Sequence, residues 1–316
     1  PYILEEYVEG ERCILKRRED YWKKDDAGNA LPYLDRVEFL DMGTEMPAMI
    51  AAVKSGDIDM IDFSDIGGAE AYLALKDDKT VNIFPSTTNQ TRILRMRVDM
   101  KPWSDNRVRT ALKLCQNREK ILSLAYFGEG LEGQDMHVSP KHPEYCAIDT
   151  PKYDPATAKK LLAEAGYPNG IDVNLAVGSG WQEIVRYAEI LKEDAKPAGF
   201  RINIQTMPNS QYWEKWTEVD LGITTWAHRP LGTMVLNLAY TADDKGKPAA
   251  WNESRWTDEE FSKLLTQANG TLDTEKRRKI FCKLEKIQQE RGSIANAFWI
   301  NVWTIAAKKL ENVKSH

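Results

Sequence analysis

The sequence has no apolar run that approaches the length needed to cross a bilayer, and its positive charges are not clustered. It contains 43 lysines and arginines against 48 aspartates and glutamates, a formal net charge of −5 with both signs interleaved along the chain. A nucleic-acid-binding surface needs a local concentration of lysine and arginine. We therefore expect no nucleic-acid partner.

Histidine and cysteine are also scarce, with four of each in 316 residues. The cysteines form no CxxC pair, and His137 and His142 are five positions apart, which is not the spacing of a helical metal pair. We expect neither a metal site nor a cofactor. A disulfide between any two of the cysteines stays open; they are Cys13, Cys115, Cys146 and Cys282.

The chain has neither an initiator methionine nor a charged-then-apolar leader, and it begins at Pro1 with residues that already resemble strands. We interpret it as a piece of a longer protein, so the lack of a signal sequence carries no information about location. Hydrophobic residues make up 42% of the chain, with ten tryptophans and twelve tyrosines. That is enough for one large domain or two ordinary ones.

Predicted strands and helices alternate along the chain, which indicates an α/β architecture. Polar and apolar residues that alternate predict strands, and apolar residues at helical spacing predict helices. The predicted strands lie in 2–17 and at 34–42, 58–63, 80–86, 91–98, 171–178, 200–206, 221–227 and 295–309. The predicted helices lie at 45–56, 69–78, 104–117, 118–128, 154–166, 181–199, 210–219, 257–269 and 273–291, with an ordered loop from 128 to 152.

Six groups of residues stand out by their order and spacing. They are GERCILKRREDYW with LPYLDRVEF, AAVKSGDIDMIDF, KPWSDNRVRTALKLCQNREKIL, YDPATAKKLLAEAGYPNGIDVNL, WNESRWTDEEFSKLL and KRRKIFCKLEKIQQE. In this order the chain resembles the family 5 extracellular solute-binding proteins of bacterial ABC importers. The resemblance implies an α/β, type II periplasmic-binding-protein-like fold with two lobes joined by a hinge and with lobe one incomplete. Residues 1–92 are then the later part of lobe one, 93–297 are the substrate-binding lobe two, and 298–316 are a return strand to lobe one.

The stretch TWAHRPLGT, residues 225–233, places Trp226, His228 and Arg229 at the end of a predicted buried strand. Ligand groups in open α/β sheets come mainly from loops at strand ends. In peptide-binding relatives the resemblance places a tryptophan here, then two small residues and an aspartate that holds the peptide's amino terminus. This chain keeps Trp226 but has Arg229 in place of the acid, which suits a carboxylate, phosphate or hydroxyl-rich ligand. The alternative is that His228 and Arg229 simply face water.

The end of the strand at 171–178 is a second candidate, in VGSGWQE. Ser179 and Gln182 offer hydrogen bonds, and Trp181 offers a face for stacking on a sugar ring or an apolar group. The alternative is a strand-to-helix turn with Trp181 packed in the core. Arg95, which alternates with apolar neighbours in the presumed hinge strand, is a third candidate unless a nearby carboxylate pairs with it. Asn89, just before that strand, is a fourth.

The resemblance implies the substrate-binding component of an ABC importer, without catalytic activity. Such a protein captures a small polar solute by lobe closure, here an opine-like compound, a sugar derivative or an atypical oligopeptide. It works in the periplasm or tethered outside the membrane, as a monomer that meets an ABC permease in the inner membrane. Two alternatives stay open: a hydrolase that uses Ser179 and His228, and a sensor or structural binding module outside transport.

Overall fold

A computed structural model describes residues 1–43, 45–63 and 68–314 as a mixed α/β protein. Within these residues the strands are β1 (Tyr2–Val8), β2 (Arg12–Arg17), β3 (Arg36–Leu40), β4 (Met60–Asp62), β5 (Val81–Met96), β6 (Gly130–Glu132), β7 (Ile171–Gly178), β8 (Phe200–Met207), β9 (Leu221–Trp226) and β10 (Ile294–Ala307). The α-helices are α1 (Met46–Ser55), α2 (Ala69–Leu75), α3 (Asn106–Leu114), α4 (Arg118–Ala125), α5 (Pro155–Glu164), α6 (Gln182–Ala195), α7 (Asn209–Lys215), α8 (Gly232–Ala239), α9 (Glu259–Asn269) and α10 (Thr274–Arg291). A 3-10 turn covers Lys196–Ala198.

The strands form two sheets. A small antiparallel sheet has the order β1-β2-β3, and a seven-stranded sheet has the order β4-β10-β5-β9-β7-β8 with β6 paired to β10. In the large sheet β7 is parallel to β8 and β9, whereas β5 and β10 are long antiparallel strands at the centre. The carboxyl ends of β7, β8 and β9 therefore meet at one edge, which is where open α/β sheets place their ligands.

The two halves of β5 and β10 have different neighbours. The second half of β10 lies between β4 and the first half of β5, while Thr91–Met96 of β5 pairs with β9. The pairing between β5 and β10 shifts register twice between these halves, at Asn296–Asn301 of β10. This irregular stretch lies close to the predicted hinge at residues 92 and 297, and the division into lobes stays a prediction.

Contacts also cross the predicted division. Arg186 on α6 forms an ion pair with Glu70 on α2 at 2.8 Å, and Tyr126 after α4 packs beside Trp303 on β10 with ring centres 6.3 Å apart. One cluster of buried apolar side chains includes residues from both sides, such as Phe63 and Leu112. The parts predicted as separate lobes are thus in direct contact in this conformation.

The structure corrects three predictions about the elements. The strands predicted at 80–86 and 91–98 are a single strand, β5; between them Thr88 and Asn89 are buried, and each donates a side-chain hydrogen bond to a distant backbone oxygen. The predicted loop at 128–152 contains the short strand β6. The helix α8, which begins at Gly232, was not predicted. Its first residue packs closely against the ring of Phe281, because a β-carbon at Gly232 would lie 2.6 Å from that ring.

Of the four cysteines, Cys146 and Cys282 form a disulfide, which ties the loop before α5 to α10. Cys13 and Cys115 are free thiols. Burial raises the pKa of the Cys115 thiol to about 12, so this side chain behaves as a small apolar group.

Candidate ligand-binding site

A cavity of about 500 Å³ lies at the carboxyl end of β9. Strand β5 contributes Gln90 and Arg92, and residues 224–227 of β9 and its extension contribute the floor. The other lining residues follow β9 or lie in α7 and in loops; they are Arg229, Trp213, Trp216 and Trp251. The volume lies within the range of small-molecule pockets. A depression of about 560 Å³ beside residues 101–106 follows the other end of β5, away from this edge.

Tryptophan rings form the apolar wall of the cavity. Trp213 and Trp216 lie edge to face with ring centres 5.6 Å apart, Trp216 and Trp251 at 6.0 Å, and Trp251 and Trp226 at 5.9 Å. Trp226 is nearly buried, but Trp213 is 41% and Trp251 46% exposed. Large areas of indole are therefore open to a bound molecule, and such surfaces bind sugar rings and other flat groups well.

The charges that line the cavity have one sign. Arg92 and Arg229 both line it, and no carboxylate does among the residues that the structure describes. Arg229 is half-buried, and its Nη1 donates a hydrogen bond to the backbone oxygen of His228 at 2.8 Å. Two guanidinium groups line the cavity, and among the described residues no carboxylate lines it, which favours an anionic or oxygen-rich ligand.

Arg92, which the sequence did not single out, is almost completely buried, with 1% of its surface exposed. Its Nε donates to Oε1 of Glu183, in the first turn of α6, at 2.7 Å, and its Nη1 lies 3.3 Å from the backbone oxygen of Thr91. Its Nη2 has no hydrogen-bond acceptor among the described residues. A buried donor without an acceptor is costly unless a water or a ligand supplies one.

Arg95 does not line the cavity, which corrects the prediction that it contacts the ligand. Its side chain is fully buried and forms an ion pair with Glu253, with Nε 3.2 Å from Oε2. Its other nitrogens donate to the backbone oxygens of Val219 and Trp216. The alternative given by the sequence, pairing with a carboxylate, is the one observed, and Arg97 is likewise paired with Asp99.

Glu253 connects this ion pair to the wall of the cavity. The carboxylate accepts hydrogen bonds from Nε1 of Trp226 at 2.8 Å and from Oγ1 of Thr224 at 2.6 Å. Burial raises the pKa of Glu253, and Arg95 and the two hydrogen bonds counteract that shift because they stabilise the charged form. Arg95 and Glu253 thus fix two tryptophans of the cavity wall, Arg95 through the backbone oxygen of Trp216 and Glu253 through the indole nitrogen of Trp226.

The structure brings four of the predicted residues together. Trp226 and Arg229 line the cavity, and Nδ1 of His228 accepts a hydrogen bond from the backbone N–H of Asn89 at 3.1 Å. The Asn89 amide donates to the backbone oxygen of Arg229 at 2.9 Å, and Nε2 of His142 lies 2.9 Å from the same oxygen. Loss of hydration lowers the pKa of His228, and the charge of Arg229 adds to the shift. Asn89 therefore positions the segment after β9.

The other three predicted residues do not line the cavity. Trp181 is the N-cap of α6 and packs against Tyr212 and Trp213, with ring centres 5.8 and 5.5 Å away. Gln182 donates to the backbone oxygen of Ser179 at 3.0 Å within the same turn. This matches the alternative reading, a strand-to-helix turn with a packed tryptophan. Trp181 is connected to the cavity only indirectly, through its contact with Trp213.

The geometry bears on the hydrolase alternative, which needs Ser179 and His228 to act together. The backbone of Asn89, rather than Ser179, is the partner of the His228 ring. In the described part of the chain, no three side chains of histidine, cysteine, aspartate or glutamate are grouped so that they would hold a metal ion. Nor does any described helix combine the length and the apolar character that a membrane span requires.

Eight of the ten lining residues were not singled out from the sequence; four of these carry an indole or a guanidinium group, and two of the four have a visible signal. Trp213 and Trp216 are three positions apart in SQYWEKWTEV, so a helix places both on one face. Trp251 lies in a loop and Arg92 lies in a strand with arginines on both faces. No local pattern distinguishes these two from ordinary core or surface residues.

Comparison with known proteins places the chain in a family. The family profile for bacterial extracellular solute-binding proteins, family 5 Middle, matches residues 1–247. A probable ABC transporter-binding protein of Deinococcus radiodurans is 26% identical over 247 residues, which cover 67% of this chain and 40% of that protein. A di/tripeptide-binding protein of Pseudomonas aeruginosa is 25% identical, over 93% of this chain and 54% of that protein. The chain thus spans about half the length of these curated relatives.

Solved structures share the fold. The binding protein AgaA of A. tumefaciens R10, in complex with agropinic acid, matches with a TM-score of 0.84 and 21% identity over 98% of this chain and 61% of that one. A dipeptide-binding protein of Pseudoalteromonas sp. SM9913, in complex with Met-Leu, also has a TM-score of 0.84 and 21% identity, over 100% of this chain and 61% of that one. These likenesses confirm the predicted α/β fold of type II periplasmic binding proteins. The chain belongs to the family 5 bacterial extracellular solute-binding proteins.

Proposed function

We propose that this chain is part of the substrate-binding component of an ABC importer, and that it captures a small anionic or hydroxylated solute in the cavity at the end of β9. An opine-like compound or a sugar derivative fits this description, and an atypical oligopeptide is the alternative within the same class. The observation that carries the proposal is the lining itself, with two arginines, four tryptophans and, among the described residues, no carboxylate.

The charge at residue 229 argues against an ordinary peptide held by its amino terminus. An ammonium group needs an acceptor, and the resemblance places an aspartate at this position in peptide-binding relatives. Here Arg229 repels an ammonium group and attracts a carboxylate. The relatives and neighbours include binders of peptides and of agropinic acid, so the family admits both kinds of ligand.

Closure of two lobes around the ligand is the proposed mechanism. The ligand contacts both lobes in the closed form, and it shifts the equilibrium by its greater affinity for that form. The predicted hinge falls where β5 and β10 change partners and register. Residues lining the cavity come from both sides of residue 92, with Gln90 before it and Trp226 after it.

We further propose that the protein works as a monomer outside the cytoplasm, in the periplasm or tethered to the membrane, and delivers its solute to a permease. The disulfide between Cys146 and Cys282 supports the location outside the cytoplasm, because disulfides persist in oxidising compartments.

Calorimetric titration of the full-length protein with agropinic acid and with the dipeptide Met-Leu tests the ligand class. We expect agropinic acid to bind more tightly than Met-Leu, because only the dipeptide brings an ammonium group to Arg229. Arg229→Ala should weaken binding of agropinic acid by about tenfold or more, the value of a charge-assisted hydrogen bond, and leave the free energy of unfolding without ligand nearly unchanged. Tighter binding of Met-Leu, or an unchanged affinity in the variant, would refute the proposal.

Arg278 on α10 offers a matched control. It is a partly exposed arginine that pairs with Glu275 and does not line the cavity. Arg278→Ala should leave both affinities unchanged. If it weakens binding as much as Arg229→Ala does, the effect of the latter comes from the loss of net charge and not from the site.

A further inference from the structure

The unsatisfied donor of Arg92 indicates what the ligand carries. A guanidinium that is buried in a cavity wall loses its hydration, and each N–H without an acceptor then costs free energy. Nη2 of Arg92 has no acceptor among the described residues, although 99% of the residue's surface is buried. The rest of the guanidinium is occupied by Glu183 and by the backbone of Thr91.

Glu183 holds the guanidinium of Arg92 in a fixed orientation without occupying all of its hydrogen-bond donors. The carboxylate accepts the Nε hydrogen at 2.7 Å, so the side chain of Arg92 is fixed in position while Nη2 keeps its hydrogens without an acceptor among the described residues. A fixed donor binds a planar oxygen acceptor without the entropy cost of ordering a long side chain. Arg229 adds a second positive charge to the same cavity, so the lining as a whole stays cationic although Glu183 offsets Arg92.

The tryptophan wall defines the rest of the ligand. Trp213 and Trp251 expose nearly half of their surfaces, and they line the same cavity as Arg92. Indole faces gain most from flat or ring-shaped groups that cover them. An aliphatic acid of the same charge would leave most of this surface in contact with water.

We propose that the solute is a ring-bearing carboxylate, with its carboxylate on Nη2 of Arg92 and its ring against the tryptophans. This inference rests on the proposed function, because it names the ligand class of the same cavity. Arg92 then determines specificity for the anion, and Trp213 and Trp251 determine specificity for the ring.

Matched probes separate the two parts of the proposal. The full-length protein is titrated with indole-3-acetate, with phenylacetate, with the amide of each, and with butyrate. The two ring-bearing carboxylates should bind. Their neutral amides should bind at least about tenfold more weakly, and so should butyrate, which has the charge but lacks a ring. Equal affinity of an acid and its amide overturns the role of Arg92, and equal affinity of butyrate overturns the role of the ring.

Two variants give changes of opposite sign. Glu183→Gln keeps an acceptor for Nε of Arg92 but removes the negative charge, so the affinity for indole-3-acetate should rise by several-fold. Arg92→Gln combined with Glu183→Gln removes both charges together and avoids a buried unpaired acid, and it should abolish the preference for acid over amide. A purely structural role of the pair would lower the affinities of acid and amide equally in both variants.

Arg97 on the same chain segment is the control. It lies outside the cavity and is paired with Asp99, so Arg97→Gln should leave all five affinities unchanged. If none of the ring-bearing carboxylates binds, while an anionic or hydroxylated solute without a ring does, this inference fails and the proposed function stands. If no solute binds at all, both fail.

Discussion

Removal of the charge of Glu253 should destabilise the whole protein, because it leaves Arg95 buried without a counter-ion. The two side chains are 4% and 0% exposed and their ion pair is 3.2 Å long. Glu253→Gln keeps the size of the side chain and retains an oxygen for Trp226 or Thr224. What it removes is the negative charge beside the guanidinium.

The expected loss is large. Breaking a buried ion pair by removing one partner costs about 3–5 kcal/mol, because the remaining charge stays desolvated. For a chain of this size that loss corresponds to a fall in Tm of about 10 °C. Urea denaturation followed by circular dichroism measures the free energy of unfolding directly.

A surface variant shows that the effect depends on burial. Glu193→Gln makes the same chemical change in an exposed pair with Lys196, and it should alter the free energy of unfolding by less than about 1 kcal/mol. Arg95→Met combined with Glu253→Gln should cost less than the sum of the two single variants, since neither charge is then left unpaired. A loss below about 1 kcal/mol for Glu253→Gln would show that the buried carboxyl is neutral in the folded protein, and the reasoning would be wrong.

Two further predictions concern α10 and the loop beside it. Burial raises the pKa of Glu285 to about 9, with the charge of Glu144 adding to the shift and the N–H of Cys146 opposing it. The folded state then keeps a proton that the unfolded state releases above its own pKa of about 4.5, so the stability of the native protein falls by up to about 1.4 kcal/mol per pH unit between these values. Glu285→Gln cannot titrate, and its advantage over the native protein in urea denaturation should grow from pH 5 to pH 9; a constant difference would contradict the assignment. Reduction of the disulfide between Cys146 and Cys282, which are 136 residues apart, should lower the free energy of unfolding by about 5 kcal/mol on the chain-entropy argument. A dithiothreitol-dependent fall in Tm measures this loss, and Cys115→Ser, which leaves the disulfide intact, should show the same fall; no change on reduction would refute it.

Local chemistry made much of the fold predictable. Asp154 caps α5 by accepting a hydrogen bond from the N–H of Thr157 at 2.9 Å, and Gly56 ends α1 in the left-handed conformation. Both signals depend only on neighbouring residues, so the sequence contains them in full. The extent of β7 was predicted to the residue, because its alternation and its flanking glycines are also local.

The continuity of β5 was not predictable in the same way. Its middle, STTNQ, has the polar composition of a loop. In the structure Thr88 donates to the backbone oxygen of Ile300 at 2.9 Å and Asn89 donates to that of Arg229, partners 212 and 140 positions away in sequence. Tertiary hydrogen bonds give acceptors to the donor groups of these side chains and so lower the cost of burying them within a strand.

The sequence predicted where in the fold the candidate site lies better than it predicted which residues line it. The rule that ligands meet strand ends pointed to Trp226 and Arg229, which line the cavity where β9 ends. It also pointed to the end of β7, where Trp181 packs against Trp213 instead of reaching the cavity. The tryptophans at 213 and 251 reach it from other parts of the chain, and only the fold brings them together.

Arg92 and Arg95 show why the sequence does not distinguish an arginine that lines the cavity from one that supports its wall. They are three residues apart in one strand, so they lie on opposite faces of the sheet, and each meets a buried glutamate. Arg95 gives its remaining nitrogens to two backbone oxygens, which makes it a support for the cavity wall. Arg92 lines the cavity and keeps one nitrogen without an acceptor among the described residues. The two arginines therefore differ at their terminal nitrogens. The fold supplies a backbone oxygen to each terminal nitrogen of Arg95, whereas on our proposal the solute supplies the acceptor for Nη2 of Arg92.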